Sequence, residues 1–474
     1  MSKSLTANAT FNVAYKVLNV IFPLFTSMYI SRVLMPAGVG EVAYALSVAQ
    51  YFVTFAALGL PSYGVREISR ARTEGTLDKV FSELLLVNAV ASVVSAVAYT
   101  ALVFFAYGSS GDLALHMVFV IMVVLNLFNI DWFYQGIEEY GYIAVRSIAV
   151  KTASLALMLV LVRDSGDTLV YACLLCMGTV GNYLLNVFRL RRFAHFTLKG
   201  IRPKRHVKPA LYLLTVAVAA DLYGRLNTTL LGIFSLDEQV GYYSNGQSCL
   251  NVCLQLLLAV TGVFLPRLSL LFKEDKFAFD DLVSKGLRIL LYFGLPMVTF
   301  ILFDAEDVVS ILFGDAFAPA GDVVKLLSPL LVIKGVGDLM CFQVLLAANK
   351  ERYFLPSRFA GAAVNLAFGI PLIMRFGSCG GAVASVLSEA AVNAPLFVVA
   401  LKQVNVRVGG KFLGSTALSL AVMAGVLALG PLFGLGGLLG LAAEFVLSCF
   451  AYVVVSLSTR NEICLFVLRK LARR

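Results

Sequence analysis

Uninterrupted apolar stretches of roughly twenty residues recur from end to end of the chain, and nothing else in the sequence limits its fold so tightly. A helix rises 1.5 Å per residue, so about 20 residues cross the ~30 Å hydrocarbon core of a bilayer. "HMVFVIMVVLNLF" (His116–Phe128) is the core of one such stretch. Lipid cannot hydrogen-bond a free N–H or C=O, so spanning segments are either helices or a closed barrel. These stretches are continuous rather than alternating, which selects helices. Charge is sparse, at 14% of residues against about 25% in a soluble domain. The expected fold class is an all-α integral membrane protein with about fourteen transmembrane helices.

Cations set the orientation, because Lys and Arg accumulate in cytoplasmic loops. With both termini cytoplasmic, inner segments hold 30 of the 38 cations, and "RLRRFAHFTLKGIRPKRHVK" (Arg189–Lys208) alone holds eight. Outer segments such as "SLDEQ" (Ser235–Gln239) and "DAEDVVSILFGDAFAPAGD" (Asp304–Asp322) are acidic. The net charge of +10 thus reads as a topology signal, and no nucleic-acid partner is expected. Eight cysteines, several inside spans, suit small apolar packing better than metal or disulfides. The first apolar stretch is long, carries Lys16 and lacks a small-residue cleavage site, unlike a cleaved signal peptide.

The chain also repeats itself. "VGEVAYALSVAQ" (Val39–Gln50) is echoed by "VGYYSNGQSCLN" (Val240–Asn251), and Leu60-Pro61 by Leu265-Pro266, each expected to end a helix. Asp131, Gln135 and Ser147 correspond roughly to Asp338, Gln343 and Ser357. Two six-helix lobes follow, 1–200 and 201–405, related by a pseudo-two-fold along the membrane normal, a transporter arrangement. Residues 406–474 supply two further helices and a basic cytoplasmic tail.

Several segments resemble a known family. "SRVLMPAGVGEVAYALSVAQYF" (Ser31–Phe52) and "GLPSYGVREISRAR" (Gly59–Arg72) are similar to the early motifs of bacterial polysaccharide exporters. "DWFYQGIEEYGYIAVRS" (Asp131–Ser147) resembles a segment of Wzx-type O-antigen and capsule repeat-unit flippases. "ILFGDAFAPAGDVVKLLSPLL" (Ile311–Leu331) and "FGSCGGAVASVLSE" (Phe376–Glu389) resemble the second half of that family. The resemblance places the chain in the superfamily of multidrug, oligosaccharidyl-lipid and polysaccharide exporters. It implies alternating-access export of undecaprenyl-diphosphate-linked oligosaccharide across the bacterial inner membrane, with the polysaccharide polymerase and export proteins as further partners.

Charges at membrane depth carry the most information, because each costs several kcal/mol unless paired or wet. Asp221 and Arg225, and likewise Lys334 and Asp338, lie at i, i+4, within pairing reach on one helical face. Lys16 and Lys151 have no acid at that spacing, and Glu389 lies in the twelfth span. One reading is a wet cavity whose Lys16, Lys151, Arg225 and Lys334 replace water around a diphosphate, with Arg66 and Arg146 at its cytoplasmic mouth. The other is that each pair neutralises itself and fixes helix packing. Asp131, Asp221, Asp338 and Glu389 are candidates for ion coupling or charge pairing. Asp131 fits either the cavity mouth or a local pair, while Trp132, Phe133 and Tyr134 are expected at the membrane–water interface. Glu138 and Glu139 are expected in a solvated loop.

An enzyme needs clustered catalytic groups in an accessible loop. The only histidines are His116, His195 and His206, and no such cluster is evident, so neither catalysis nor a cofactor or metal is expected. The competing transport readings are a flippase for lipid II or a teichoic precursor and a multidrug exporter, the latter needing an apolar, acid-lined pocket.

Overall fold

The computed structural model describes residues 5–108, 111–262, 264–430 and 437–471, with side chains except at 5–21, 220, 222, 223 and 260. All regular structure among them is helical, and the chain divides into two compact units, Met1–Gly241 and Tyr242–Arg474.

The first unit opens with α1 (Leu5–Ala57), 53 residues long. At 1.5 Å per residue that is about 80 Å, more than twice the hydrocarbon core. It breaks at Met35 (φ 62°, ψ 174°), directly before Pro36, whose ring disfavours helical geometry in the preceding residue. Then follow α2 (Leu60–Glu74), α3 (Leu77–Tyr107), α4 (Leu113–Leu125), α5 (Asp131–Gly136), α6 (Tyr140–Leu161), α7 (Thr168–Leu190) and α8 (Lys204–Phe234). The sequence assigns α8 to the second lobe. In the structure it falls in the first unit, lying along α1 with Gly232 giving the Tyr44 ring a seat that a methyl group would fill.

α2 is the amphipathic element of this unit. Leu60, Tyr63, Gly64, Ile68 and Ala71 recur at helical spacing and are buried, while Arg66, Ser69 and Arg70 face outward. Pro61 sits in its first turn, where a missing N–H costs nothing. The Leu-Pro pair therefore starts a surface helix and does not close a span. Leu265-Pro266 does the same for α10 (Leu265–Glu274). The apolar face of α2 docks on α5: a Cβ at Gly64 would come within 2.8 Å of Trp132, and one at Gly136 within 2.6 Å of Ile68. Trp132, Phe133 and Tyr134 are accordingly buried with Phe81, Leu84 and Ile143 instead of lying at a lipid interface. Small residues suit such contacts because lipid supplies no hydrophobic drive for helix association.

α9 (Asp237–Thr261) begins in the first unit and runs into the second. The second unit continues with α10, α11 (Lys276–Phe313), α12 (Ala320–Leu327), α13 (Pro329–Val336), a π-helical stretch (Gly337–Gln343) and α14 (Val344–Ala347). α15 (Phe354–Leu401) breaks at Gly377, whose φ of 55° a glycine adopts freely. α16 (Gly410–Leu429), α17 (Gly437–Ser458) and the short amphipathic α18 (Glu462–Leu471) complete the chain. α11 extends helically to Phe313, so the first half of the expected acidic outer loop is helix and Asp304 is buried. The last helices pack onto α11 within the second unit, around Tyr292, Phe412, Met423 and Tyr452, with the Tyr452 hydroxyl donating to the Tyr292 carbonyl at 2.9 Å.

Among the described residues ten helices are long and apolar enough to cross a membrane, or eleven with α8, which bends by 59° between Lys204–Ala219 and Gly224–Phe234.

Candidate functional site

In the first unit a polar stripe joins α1 to α8. Ser47, Tyr51 and Thr54 share one face of α1; Asp221, Arg225 and Thr229 share one face of α8. The Thr54 hydroxyl donates to Asp221, and Arg225 Nε donates to Asp221 Oδ1 at 3.4 Å. Thr229 Oγ1 lies 3.0 Å from the Ser47 hydroxyl and donates to Tyr51 at 3.3 Å. The i, i+4 pair expected from the sequence forms, but Asp221 is shared with α1. The Arg225 side chain remains 40% exposed, with only Nε committed to Asp221.

Deeper burial characterises Arg146. Its guanidinium donates to Asp131 Oδ1 and Oδ2 at 3.0 and 3.1 Å, to Asn182 at 3.1 Å, and to Asn186. Asn186 also donates to Asp131 at 2.7 Å. The side chain is 2% exposed, so its donors are spent on α5 and α7. Asp131 takes the local-pair option. Neither Glu138 nor Glu139 stands alone in solvent: Arg72 lies 3.6 Å from Glu138, and Arg189 3.1 Å from Glu139. Arg66 is exposed on α2, its guanidinium 5.7 Å from the Tyr63 ring. Lys151 sits 5.8 Å over Phe22. The Lys16 side chain lies outside the described residues.

A third cluster of this unit was not legible from charge spacing. Glu83 is fully buried near the start of α3. It accepts from Arg205 at 2.6 Å and from the Arg202 backbone at 2.7 Å, and lies 2.8 Å from His206 Nε2. Tyr63 meets the other ring nitrogen of His206 at 2.8 Å. The signal available was an acid seven residues into an apolar helix, beyond the Asp78 of its first turn, and a loop of eight cations elsewhere in the chain.

The second unit departs from the sequence expectation. Lys334 does not pair with Asp338. Its Nζ lies 3.7 Å from Glu389 of α15, which also accepts from Asn393 at 2.9 Å. Asp338 accepts from Gln343 at 2.7 Å and Thr261 at 3.4 Å. The reason is local: Asp338 lies in the π-helical stretch, whose wider turn brings residue i+5 beside residue i. The repeat-related Asp131 and Asp338 thus both bind amide side chains, but only Asp131 meets an arginine.

A pocket of about 600 Å³ in the first unit is of opposite character, lined by Glu41, Asp112 and Asp237 with the rings of Tyr44, Tyr107 and His116. Among the described residues no group of histidine, cysteine and carboxylate side chains could hold a metal.

Among the described residues, an all-helical fold with ten helices of membrane-spanning length and apolarity defines the class of multi-pass membrane proteins. The polysaccharide biosynthesis protein family matches residues 5–272, more than half of the chain, and the chain belongs to that family. It is 22% identical over 397 residues to a putative O-antigen transporter of Escherichia coli (strain K12), covering 82% of this chain and 95% of that one. It is 24% identical over 254 residues to the probable low-salt glycan biosynthesis flippase Agl15 of Haloferax volcanii, covering 52% of each. Its fold matches the lipid II flippase MurJ in an inward closed conformation with a TM-score of 0.74 at 12% identity, covering 96% of this chain and 100% of that one. An inward-facing multidrug resistance transporter of the MATE family matches with a TM-score of 0.63 at 16% identity, covering 81% and 93%.

Proposed function

We propose that the protein is a flippase moving undecaprenyl-diphosphate-linked oligosaccharide repeat units across the bacterial inner membrane by alternating access, with both termini cytoplasmic. Fourteen crossings follow if α1 and α15 each count twice and α9 counts once beside the eleven helices above. The observation that carries the reading is Arg225. It is a guanidinium in a spanning helix, held at Nε by Asp221 and 40% exposed, with its terminal nitrogens free of Asp221 to fork onto a phosphate. Sugars and diphosphate cannot cross hydrocarbon unaided, whereas the isoprenoid tail can stay in lipid. Lys16, Lys151 and Lys334 are the further candidate cations for the diphosphate. Arg66, exposed on α2, is the candidate to meet the phosphates first. Arg146 is a positioning residue, holding α5 to α7 through Asp131. The carboxylates Asp221, Asp338 and Glu389 are candidates for coupling to an ion or proton, which would make the protein an antiporter. The polysaccharide polymerase and the export proteins that take the product onward are proposed partners.

The test is loss of the gene. Surface polysaccharide should stop while lipid-linked repeat units accumulate. Unchanged glycan would refute the proposal.

The acid-lined aromatic pocket favours a second reading, export of an organic cation, since carboxylates and ring faces both attract positive charge. Raised sensitivity to cationic drugs with unchanged surface glycan would select it.

A further inference from the structure

The segment between α7 and α8 reads as a loop by sequence, yet it is tied down at three points. Asp78 accepts from the His195 backbone at 2.9 Å, Ser82 from the Thr197 backbone at 2.9 Å, and Glu83 from the Arg202 backbone at 2.7 Å. All three anchors lie in the first two turns of α3, at the end of a membrane-length helix. The segment is therefore a fixed strap lying where spans α3, α7 and α8 leave the bilayer.

What the strap turns outward is specific. Of the eight cations in Arg189–Lys208, Arg189 is paired with Glu139 and Arg205 with Glu83. The other six, Arg191, Arg192, Lys199, Arg202, Lys204 and Lys208, are exposed and make no ion pair among the described residues. Phe196 and Leu198 stand between them, 52% and 66% exposed. Phe196 and Leu198 stand two residues apart in a stretch without regular secondary structure, 194–198. An isolated large apolar pair on a pinned strap, flanked by unpaired cations at the edge of a membrane, fits the headgroup region. There the apolar side chains reach the acyl boundary while the cations meet the phosphates of anionic lipid.

We propose that the strap is a membrane-surface dock: Phe196 and Leu198 insert beside α3, and the six free cations bind the phosphates of anionic phospholipids in the cytoplasmic leaflet. The proposal rests on the spanning arrangement and not on which substrate is moved.

The experiment uses the full-length chain reconstituted in vesicles carrying brominated acyl chains. The sole tryptophan, Trp132, is 3% exposed and buried in the core of its own unit, so it supplies a constant background. Phe196→Trp then reports contact with lipid. Quenching is expected in vesicles containing phosphatidylglycerol. It should fall in pure phosphatidylcholine, and fall again when Arg191, Arg192, Lys199 and Arg202 are all changed to Gln. A monodisperse elution profile for each variant shows that the fold is kept. No quenching of Phe196→Trp in any vesicle overturns the insertion. Equal quenching with and without phosphatidylglycerol overturns the role of anionic lipid. Retained quenching in the four-Gln variant does the same for the named cations.

Discussion

Lys334 bonds across helices to Glu389, 3.7 Å away on α15, and leaves Asp338, four residues along its own chain, to Gln343 and Thr261. The pair ties two elements of the second unit at membrane depth, where an unpaired charge is costly. Glu389 is 9% exposed and Lys334 28%, so Glu389 is the member water reaches less.

If position matters as well as neutrality, exchanging the charges separates the two. Glu389→Gln leaves the ammonium without its carboxylate, and solubilised yield should fall, by an amount below the ~3–5 kcal/mol of a fully buried pair because Lys334 is partly wet. Lys334→Glu combined with Glu389→Lys restores a pair, so yield should recover. Export should not, since the cation has moved from α13 to α15. Full export by the exchanged protein would make the pair structural.

Asp338→Asn isolates charge from geometry. Asparagine keeps an oxygen to accept from Gln343, so thermal stability should change by less than about 1 kcal/mol. Loss of export at unchanged stability would support ion coupling at Asp338; undiminished export under an imposed ion gradient would remove it from that role.

Spans and the Asp221–Arg225 pair were legible because they depend on apolar runs and fixed helical spacing. Lys334 was misread because i, i+4 arithmetic assumes α-helical winding, and nothing in "KGVGDLMCFQ" announces a π turn. Arg146 was misread because its partners include two neutral amides, Asn182 and Asn186. They stand four apart in an apolar helix, a spacing as informative as that of charges. The aromatic run Trp132–Tyr134 suited a lipid interface by residue type. Its burial depends on the glycine notches of α2 and α5, which become visible only when those helices meet.

Those notches can be tested directly. Gly64→Ala places a methyl against the Trp132 ring, and overpacking of this kind costs about 1–3 kcal/mol. Because Trp132 is the sole tryptophan, its fluorescence should shift and its melting midpoint fall. An unchanged spectrum would mean that α2 does not seat on α5 as described.

Arg146→Lys keeps one charge but loses the fork that reaches Asp131, Asn182 and Asn186 together. Stability should drop by about 2–4 kcal/mol, the scale of several lost buried hydrogen bonds. Export per folded molecule should be near normal, because Arg146 has few donors left for a substrate. Normal yield with abolished export would instead return Arg146 to the phosphate path.

Arg225 is the decisive position for the transport reading. Arg225→Ala should abolish export, but it also strips Asp221 of its cation, so a folding defect could imitate a binding defect. Arg225→Lys keeps the charge and loses the fork, so export should fall while membrane abundance holds. Asp221→Asn combined with Arg225→Gln removes both charges, and asparagine can still accept from Thr54, so abundance should recover without export. Each variant is scored as surface polysaccharide against protein in the membrane. Normal export by the neutral double variant would make the pair a packing device. The diphosphate contact would then lie with Lys151, Lys334 and Lys16, whose single glutamine variants would be the next to measure.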